Sequence, residues 1–155
     1  MEERLEELIE LSIELELSMS KLYFLYSNLF PEDKEFWRKL SNEELNHASL
    51  LKSGRLYLGK GILPEDIVHS DIDVLKSTIE KIKNLISDYT QFAPPFEDAY
   101  YEAVKLESSA GEFHFQVLMT EESDSKIVKI FQELNADDKD HNRRISDLLT
   151  TKVRS

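Results

Sequence analysis

The chain has 155 residues, with 31 Asp and Glu against 19 Lys and Arg, a formal net charge of −12, 4 His and no Cys. This length suits a single domain over residues 1–155 with its own core. The absence of Cys excludes a disulfide framework, a thiolate metal site and a thiol nucleophile. The acid excess disfavours nucleic-acid binding, and no apolar run approaches the roughly 20 residues of a membrane span. The acidic first residues do not resemble a signal peptide, so we expect a soluble cytoplasmic domain.

The first half of the chain predicts two long helices. Apolar residues recur every three to four positions along residues 2–29, which is typical of an amphipathic helix. Pro31 suits the first turn of a second helix, predicted over 32–58, and Gly59 ends it. No segment has the alternation of a strand, and the chain has only 4 Gly and 4 Pro. These features favour an all-α fold.

Three further helices are predicted over 71–90, 95–120 and 125–150, with the polar segment 121–124 as a turn. The simplest architecture is a four-helix bundle. In it, the long connection 59–95 crosses the bundle and contains the extra helix 71–90. Bundles with one long crossover connection are a known topology.

Six polar residues interrupt the apolar stripes of the four bundle helices. They are Glu16, Glu44, His47, Glu107, Asp138 and His141. A buried carboxylate without a partner costs several kcal/mol, so four of them require a common partner. Two divalent metal ions would neutralise the four carboxylates. One Glu from each of two helices, with an acid-x-x-His pair from each of the other two, is the ligand set of carboxylate-bridged dinuclear bundles.

An internal repeat supports this hypothesis. Residues 40–47 and 134–141 share the frame Leu-x3-acid-x2-His, each at the middle of a different predicted helix. In each half the preceding helix offers one Glu on its apolar stripe. Asp66 and His69 have the same acid-x-x-His spacing, but they follow Pro64 closely. We therefore predict that they lie in a loop, outside the site.

These motifs resemble the ferritin-like superfamily, most closely its rubrerythrin-type diiron-binding branch without a rubredoxin domain. The runs that carry the resemblance are residues 16–23, 30–40 and 44–48 in the first half, and residues 103–107 and 138–141 in the second. The resemblance implies that Glu16 and Glu107 are the single-Glu ligands and that Glu44 and His47 form one Glu-x-x-His pair. It assigns the second such pair to Asp138 and His141, with Asp in place of the family's Glu.

The departures from the family pattern leave alternatives open. Asp138 is one methylene shorter than Glu, and Asp137 or Asp140 would replace it if the helix phase shifted. His114 is predicted on the same helix face as Glu107, where it is either an extra metal ligand or a hydrogen-bond donor to a ligand. Tyr23 is a candidate hydrogen-bond donor or redox relay near the metals. Without Cys there is no rubredoxin-like iron site, so an external electron donor is needed.

The resemblance implies a dinuclear non-haem iron protein that oxidises Fe(II) and reduces peroxide or dioxygen, with manganese or zinc as substitutes. We expect Glu44 and Glu107 to bridge the two ions and Glu16 and Asp138 to be terminal ligands. The exposed face of the 72–90 helix is a candidate homodimer contact. One alternative is a ferritin-like bundle whose degraded site holds only buried ion pairs and which acts as a structural or interaction protein. Another is iron storage in a shell.

Overall fold

The computed structural model describes residues 2–54, 65–113 and 126–154. Within these ranges, side chains are described except at residues 2–5, 54, 65–71, 110–113, 126–128, 130, 131 and 135. The elements are α1 (Glu2–Leu29), a 3-10 turn (Pro31–Asp33), α2 (Lys34–Gly54), α3 (Glu65–Gln91), α4 (Phe96–Phe113) and α5 (Lys126–Arg154). The described residues contain no strand, and the all-α prediction is confirmed.

The helix bounds differ from the predicted ones at several ends. Helix α3 begins at Glu65 instead of at 71, so Asp66 and His69 are helical and the predicted loop there is wrong. The sequence carries the reason, because Pro64 followed by two acids suits a helix N-terminus and its dipole. Helix α5 continues to Arg154, beyond the predicted end at 150. The predicted helical residues 55–58 and 114–120, with His114, lie outside the described residues.

Helices α1 and α2 form an antiparallel hairpin. Near its turn, the rings of Tyr26 and Trp37 pack edge to face with centroids 4.9 Å apart. Farther along, Ser20 and Ser41 are both buried. The Ser41 hydroxyl donates to the Ser20 carbonyl oxygen at 2.8 Å. Two small residues at this crossing let the helices approach closely and satisfy both hydroxyls inside the core.

Helices α4 and α5 form the second antiparallel hairpin. The amide of Asn142 donates to the carbonyl oxygen of Val104 at 2.9 Å. At the far end of the pair, the ammonium of Lys152 lies 4.9 Å from the ring centroid of Phe96. This contact with the first turn of α4 gives the last turns of α5 a packing partner, which explains why the helix extends beyond its predicted end.

Helix α3 connects the two hairpins by running along α1 in the same direction. Lys76 pairs with Glu7 at 3.1 Å and Lys83 with Glu14 at 2.7 Å. The chain therefore passes from one end of the bundle to the other before α4 begins. As a result α4 runs in the direction of α2, and α5 in the direction of α1.

A layer of large aromatic side chains fills the core at one end of the bundle. We call it the aromatic layer; it consists of Tyr23, Tyr26, Trp37 and Tyr100, all fully buried. The ring centroids of Trp37 lie 5.1 Å from Tyr23 and 4.9 Å from Tyr100. The hydroxyl of Tyr26 donates to the carbonyl oxygen of Ala99 at 2.9 Å. This layer joins α1, α2 and α4 beside the polar interior described next.

Candidate metal centre

All four bundle helices place acids in the interior next to the aromatic layer. The six residues predicted from the stripes converge there, and all are buried: Glu16 on α1, Glu44 and His47 on α2, Glu107 on α4, and Asp138 and His141 on α5. We call this set the carboxylate–imidazole cluster. Each member interrupts an apolar stripe, and since the stripes face one another the interruptions meet.

The cluster contains two overlapping groups of metal-ligand atoms. One consists of Glu16, Glu44, His47 and Asp138, and the other of Glu44, Glu107, Asp138 and His141. Within each group, one ligand atom per residue lies within 4.8 Å of the others. Glu44 and Asp138 belong to both groups. The expected bridging role of Glu107 is therefore not favoured by the geometry, which gives Asp138 the shared position despite its shorter side chain.

Both imidazoles turn the same nitrogen toward the carboxylates. Nδ1 of His47 lies 3.4 Å from Glu44 Oε2 and 3.5 Å from Glu16 Oε2. Nδ1 of His141 lies 2.8 Å from Glu44 Oε1 and 3.3 Å from Glu107 Oε1. The two rings stack at a centroid distance of 5.5 Å. Each group thus receives one imidazole nitrogen.

The outer nitrogen of each His faces a carboxylate from the opposite hairpin. Nε2 of His47 is hydrogen-bonded to Asp137 Oδ2 at 3.0 Å, and Nε2 of His141 lies 3.7 Å from Glu43 Oε1. A carboxylate on the outer nitrogen of a metal-binding His fixes its tautomer and its orientation. With the outer nitrogen as the donor, a deprotonated imidazole would turn the lone pair of Nδ1 into the cluster.

The sequence-based hypothesis missed the role of Glu43 and considered Asp137 only as a substitute ligand. A signal was present in both halves of the repeat, because each acid-x-x-His motif is directly preceded by another acid. Asp140, the other substitute considered, lies outside the cluster and pairs with Arg143 at 2.6 Å.

The carboxylates shift the protonation of the cluster. Burial, then the charges of Glu16 and Glu107, raise the pKa of Glu44 well above its ordinary value. Burial alone would lower the pKa of His47, but the carboxylates of Glu16 and Glu44 outweigh it and raise the pKa to about 11. Burial is likewise outweighed at His141, where Glu107 raises the pKa to about 9. The metal-free cluster therefore attracts positive charge, as protons or as cations.

The protein does not satisfy all polar atoms of the cluster by itself. Among the described residues, Oε2 of Glu107 and Nδ1 of His47 are buried without a hydrogen-bond partner. Buried polar atoms are nearly always paired, and a bound ion is one explanation of an exception. The donor set of carboxylate oxygens and two imidazoles suits iron or manganese. The cluster could hold a metal ion, and its residues fit that group.

Comparisons with known proteins give no relative: no family model, curated protein or solved structure matches the chain. Across the described ranges, no helix combines the length and the apolarity needed to cross a lipid bilayer. The geometry of the carboxylate–imidazole cluster is therefore the feature that indicates a function.

Tyr23 connects this cluster to the aromatic layer. Its hydroxyl donates to Glu107 Oε1 at 2.6 Å, and its side chain is fully buried. Burial, then the charge of Glu107, raise the pKa of Tyr23, so the phenol stays protonated as a donor. The predicted role of Tyr23 as a hydrogen-bond donor beside the cluster agrees with this contact. Nothing in the contact tests a role as a redox relay.

Proposed function

We propose that the chain is a ferritin-like, rubrerythrin-type domain that binds two iron ions, with manganese as a substitute. The observation that carries the proposal is the pair of overlapping ligand groups that share Glu44 and Asp138. One acid from each of four helices, with a His on two of them, is the ligand pattern of dinuclear carboxylate bundles. The long connection through α3, which makes α4 parallel to α2, also suits that class.

The residues divide into two half-sites around the shared carboxylates. We call Glu16 with His47 the His47 half-site, and Glu107 with His141 the His141 half-site. Two metal ions bound there would supply electrons for the reduction of peroxide or dioxygen, with Fe(II) as the reduced form. Glu44 and Asp138 would contribute ligands to both half-sites, and the outer carboxylates Glu43 and Asp137 would hold the imidazoles in the binding tautomer.

The buried position of the cluster supports redox chemistry on small oxidants over hydrolysis of a large substrate. All six residues have relative exposures of 6% or less. The interior admits small oxidants more readily than large substrates. An external electron donor would return the site to its reduced form, because the chain has no Cys for an iron–sulfur or rubredoxin-like centre of its own.

Metal analysis tests the proposal directly. Protein reconstituted anaerobically with Fe(II) should retain two ions per chain after desalting, and addition of peroxide should oxidise them. Glu44→Gln should lower the retained iron, since Glu44 belongs to both ligand groups. Glu80→Gln, an exposed substitution on α3, is the matched control and should retain both ions. A wild-type iron content no higher than that of the Glu44→Gln variant would contradict the proposal.

A second candidate function is a metal-free structural bundle, and one contact favours it. His141 Nδ1 lies only 2.8 Å from Glu44 Oε1, as in a buried ion pair. In that case the cluster is stable with protonated imidazoles alone. A chelator distinguishes the two functions, because a bound ion stabilises only the folded state. If chelation leaves the melting temperature of freshly purified protein unchanged, the structural function is favoured.

A further inference from the structure

The two half-sites differ in their access to solvent. A cavity of about 300 Å³ lies between α2 and α5, lined by Glu43, Asn46, His47, Leu50, Glu133 and Asp137. His47 is the only one of the six cluster residues on its wall. The exposed fraction of His47 is 6%, against 1% for His141. The cavity therefore leads to the His47 half-site.

The His141 half-site is closed by charged and aromatic groups. Arg144 donates from Nη1 and Nη2 to the two oxygens of Glu43 at 2.9 and 3.0 Å. Glu43 in turn faces the outer nitrogen of His141. The guanidinium places a fixed positive charge there, which opposes the approach of a cation. On the inner side, the hydroxyl of buried Tyr23 holds Glu107.

The His47 half-site is covered by a more exposed group. Asp137 is hydrogen-bonded to the outer nitrogen of His47, yet its side chain is 47% exposed and lies on the cavity wall. Its rotation toward solvent would uncover the imidazole without disturbing the helix core. Three of the six lining residues are acids, and within the described part of the chain only Glu43 among them is paired with an arginine, Arg144. Glu133 and Asp137 therefore leave an excess of negative charge on the wall, which concentrates cations.

We propose that divalent metal ions reach and leave the centre through this cavity, and that the His47 half-site exchanges its ion while the His141 half-site retains its own. This inference rests on the proposed function and adds to it which half-site exchanges its ion and which retains it. The closed half-site holds a resident ion, and the open half-site takes up and releases the second. A protein that handles Fe(II) as a substrate needs such an exchangeable position.

The rate of metal release tests the inference without any measurement of activity. Protein loaded with two Mn²⁺ ions is mixed with an excess of a chelator, and the loss of bound ions is followed in time. We expect two phases of equal amplitude, one fast and one slow. His47→Ala should abolish the fast phase, and His141→Ala should abolish the slow phase.

A pair of substitutions on α2 tests the route itself. Asn46→Trp puts a large side chain on the cavity wall and should slow the fast phase several-fold, with two ions still bound at equilibrium. Asn42→Trp is the matched control. Asn42 is also exposed and lies one helical turn earlier, away from the lining residues. The fast phase of metal release from Asn42→Trp should therefore have the wild-type rate. Glu133→Trp, on the α5 wall, repeats the test if Asn46→Trp fails to fold.

Asp137 is tested separately as a positioning residue. Asp137→Ala should weaken the exchangeable ion about 10–100-fold, the usual effect of removing a carboxylate behind a metal-binding His. It should leave the slow phase unchanged. Asp147→Ala, an exposed acid on the same helix, should change neither phase.

The outcomes separate this inference from the proposed function. If the wild type binds no Mn²⁺ or Fe(II), the proposed function fails and the inference fails with it. If two ions bind but leave in a single phase, the inference is wrong while the dinuclear site stands. The same holds if both cavity substitutions leave the fast phase unchanged.

Discussion

The aromatic layer and the carboxylate–imidazole cluster are neighbours in one bundle but differ in what completes them. In the aromatic layer, the hydroxyls of Tyr26 and Tyr100 donate to the Ala99 carbonyl oxygen at 2.9 Å and to Asp33 Oδ2 at 2.5 Å. In the cluster, four buried carboxylates face two imidazoles. Both of these hydroxyls have acceptors within the protein, whereas the cluster has more negative charge than its own groups balance.

This difference separates stability from function. Each buried Phe, Tyr or Trp side chain removes roughly 150–250 Å² from water, and such residues dominate the energetics of a core. Buried carboxylates that lack counter-charge oppose folding, and a bound cation would offset that cost. We therefore expect substitutions in the cluster to depend on metal. Substitutions in the aromatic layer should act equally with and without it, except at Tyr23, whose hydroxyl contacts Glu107 of the cluster.

The largest expected effect belongs to the aromatic layer. Trp37→Ala should lower the free energy of unfolding by about 3–5 kcal/mol, because it removes a fully buried ring and leaves a cavity. The loss should be the same with bound Fe(II) and after chelation, measured by urea unfolding. Phe92→Ala, at an 81% exposed position, is the control and should change stability by less than about 0.5 kcal/mol. A metal-dependent loss for Trp37→Ala would contradict the separation of the two regions.

The next largest effect lies in the cluster and, unlike that of Trp37→Ala, depends on bound metal. A bound ion at a free concentration of about 100 times its Kd stabilises the folded state by about 2.7 kcal/mol. Glu44→Gln should abolish this gain, because Glu44 is shared by both ligand groups. Without metal, the same substitution should raise the melting temperature, since it removes one of the four repelling carboxylates. A variant that is less stable than the wild type in chelator would show that Glu44 is a structural partner of His141.

Much of this contrast could be predicted from the sequence. Helix phase placed Glu16, Glu44 and Glu107 on core stripes, and the structure brings them together. The repeat of the acid-x-x-His frame identified His47 and His141, and the structure places both imidazoles in the same cluster. Periodicity predicts which residues face inward, and in a bundle of long helices the inward faces have few ways to meet.

The remaining features depend on contacts between helices that periodicity does not report. The shared position of Asp138, in place of Glu107, depends on how the four helices pack against one another. Glu43 faces His141 across the bundle and is held by Arg144, a contact between residues far apart in the sequence. The start of α3 at Glu65 is compatible with Pro64 and the two acids after it, a signal that the prediction of a loop around Asp66 and His69 did not use.

The pH dependence of the metal-free protein sharpens the comparison further. In the folded state the pKa of His47 is raised to about 11 and that of His141 to about 9, against about 6.5 when unfolded. The resulting stabilisation is complete below about pH 6.5 and is lost as the pH rises through 9 toward 11. One such group implies a loss of about 2 kcal/mol between pH 7 and pH 9, at about 1.4 kcal/mol per pH unit.

Metal should cancel this dependence, because the ligands bind in their deprotonated forms and proton release favours binding as the pH rises. Thermal melts at pH 7, 8 and 9, with chelator and with Mn²⁺, provide the measurement. The melting temperature in chelator should fall across the series, and the value with Mn²⁺ should fall less or rise. Parallel curves would indicate that the imidazoles pair only with protons.

The smallest expected effect lies at the contact between the two regions. Tyr23→Phe removes one hydroxyl, which donates to Glu107 Oε1 at 2.6 Å. Loss of a hydrogen bond to a buried charged group should cost about 1.5 kcal/mol in chelator, at the low end of the usual range.

The matched control for Tyr23→Phe is Tyr26→Phe, which removes a similarly buried hydroxyl whose acceptor is the carbonyl oxygen of Ala99. It should cost about 1 kcal/mol, equally with and without metal. The loss for Tyr23→Phe should shrink when ions are bound, because a cation then offers Glu107 the partner that the phenol supplied. Urea unfolding of both variants in both states measures this difference. If the two tyrosines respond alike, Glu107 does not gain a partner from the metal, and the His141 half-site would have to bind its ion without that carboxylate.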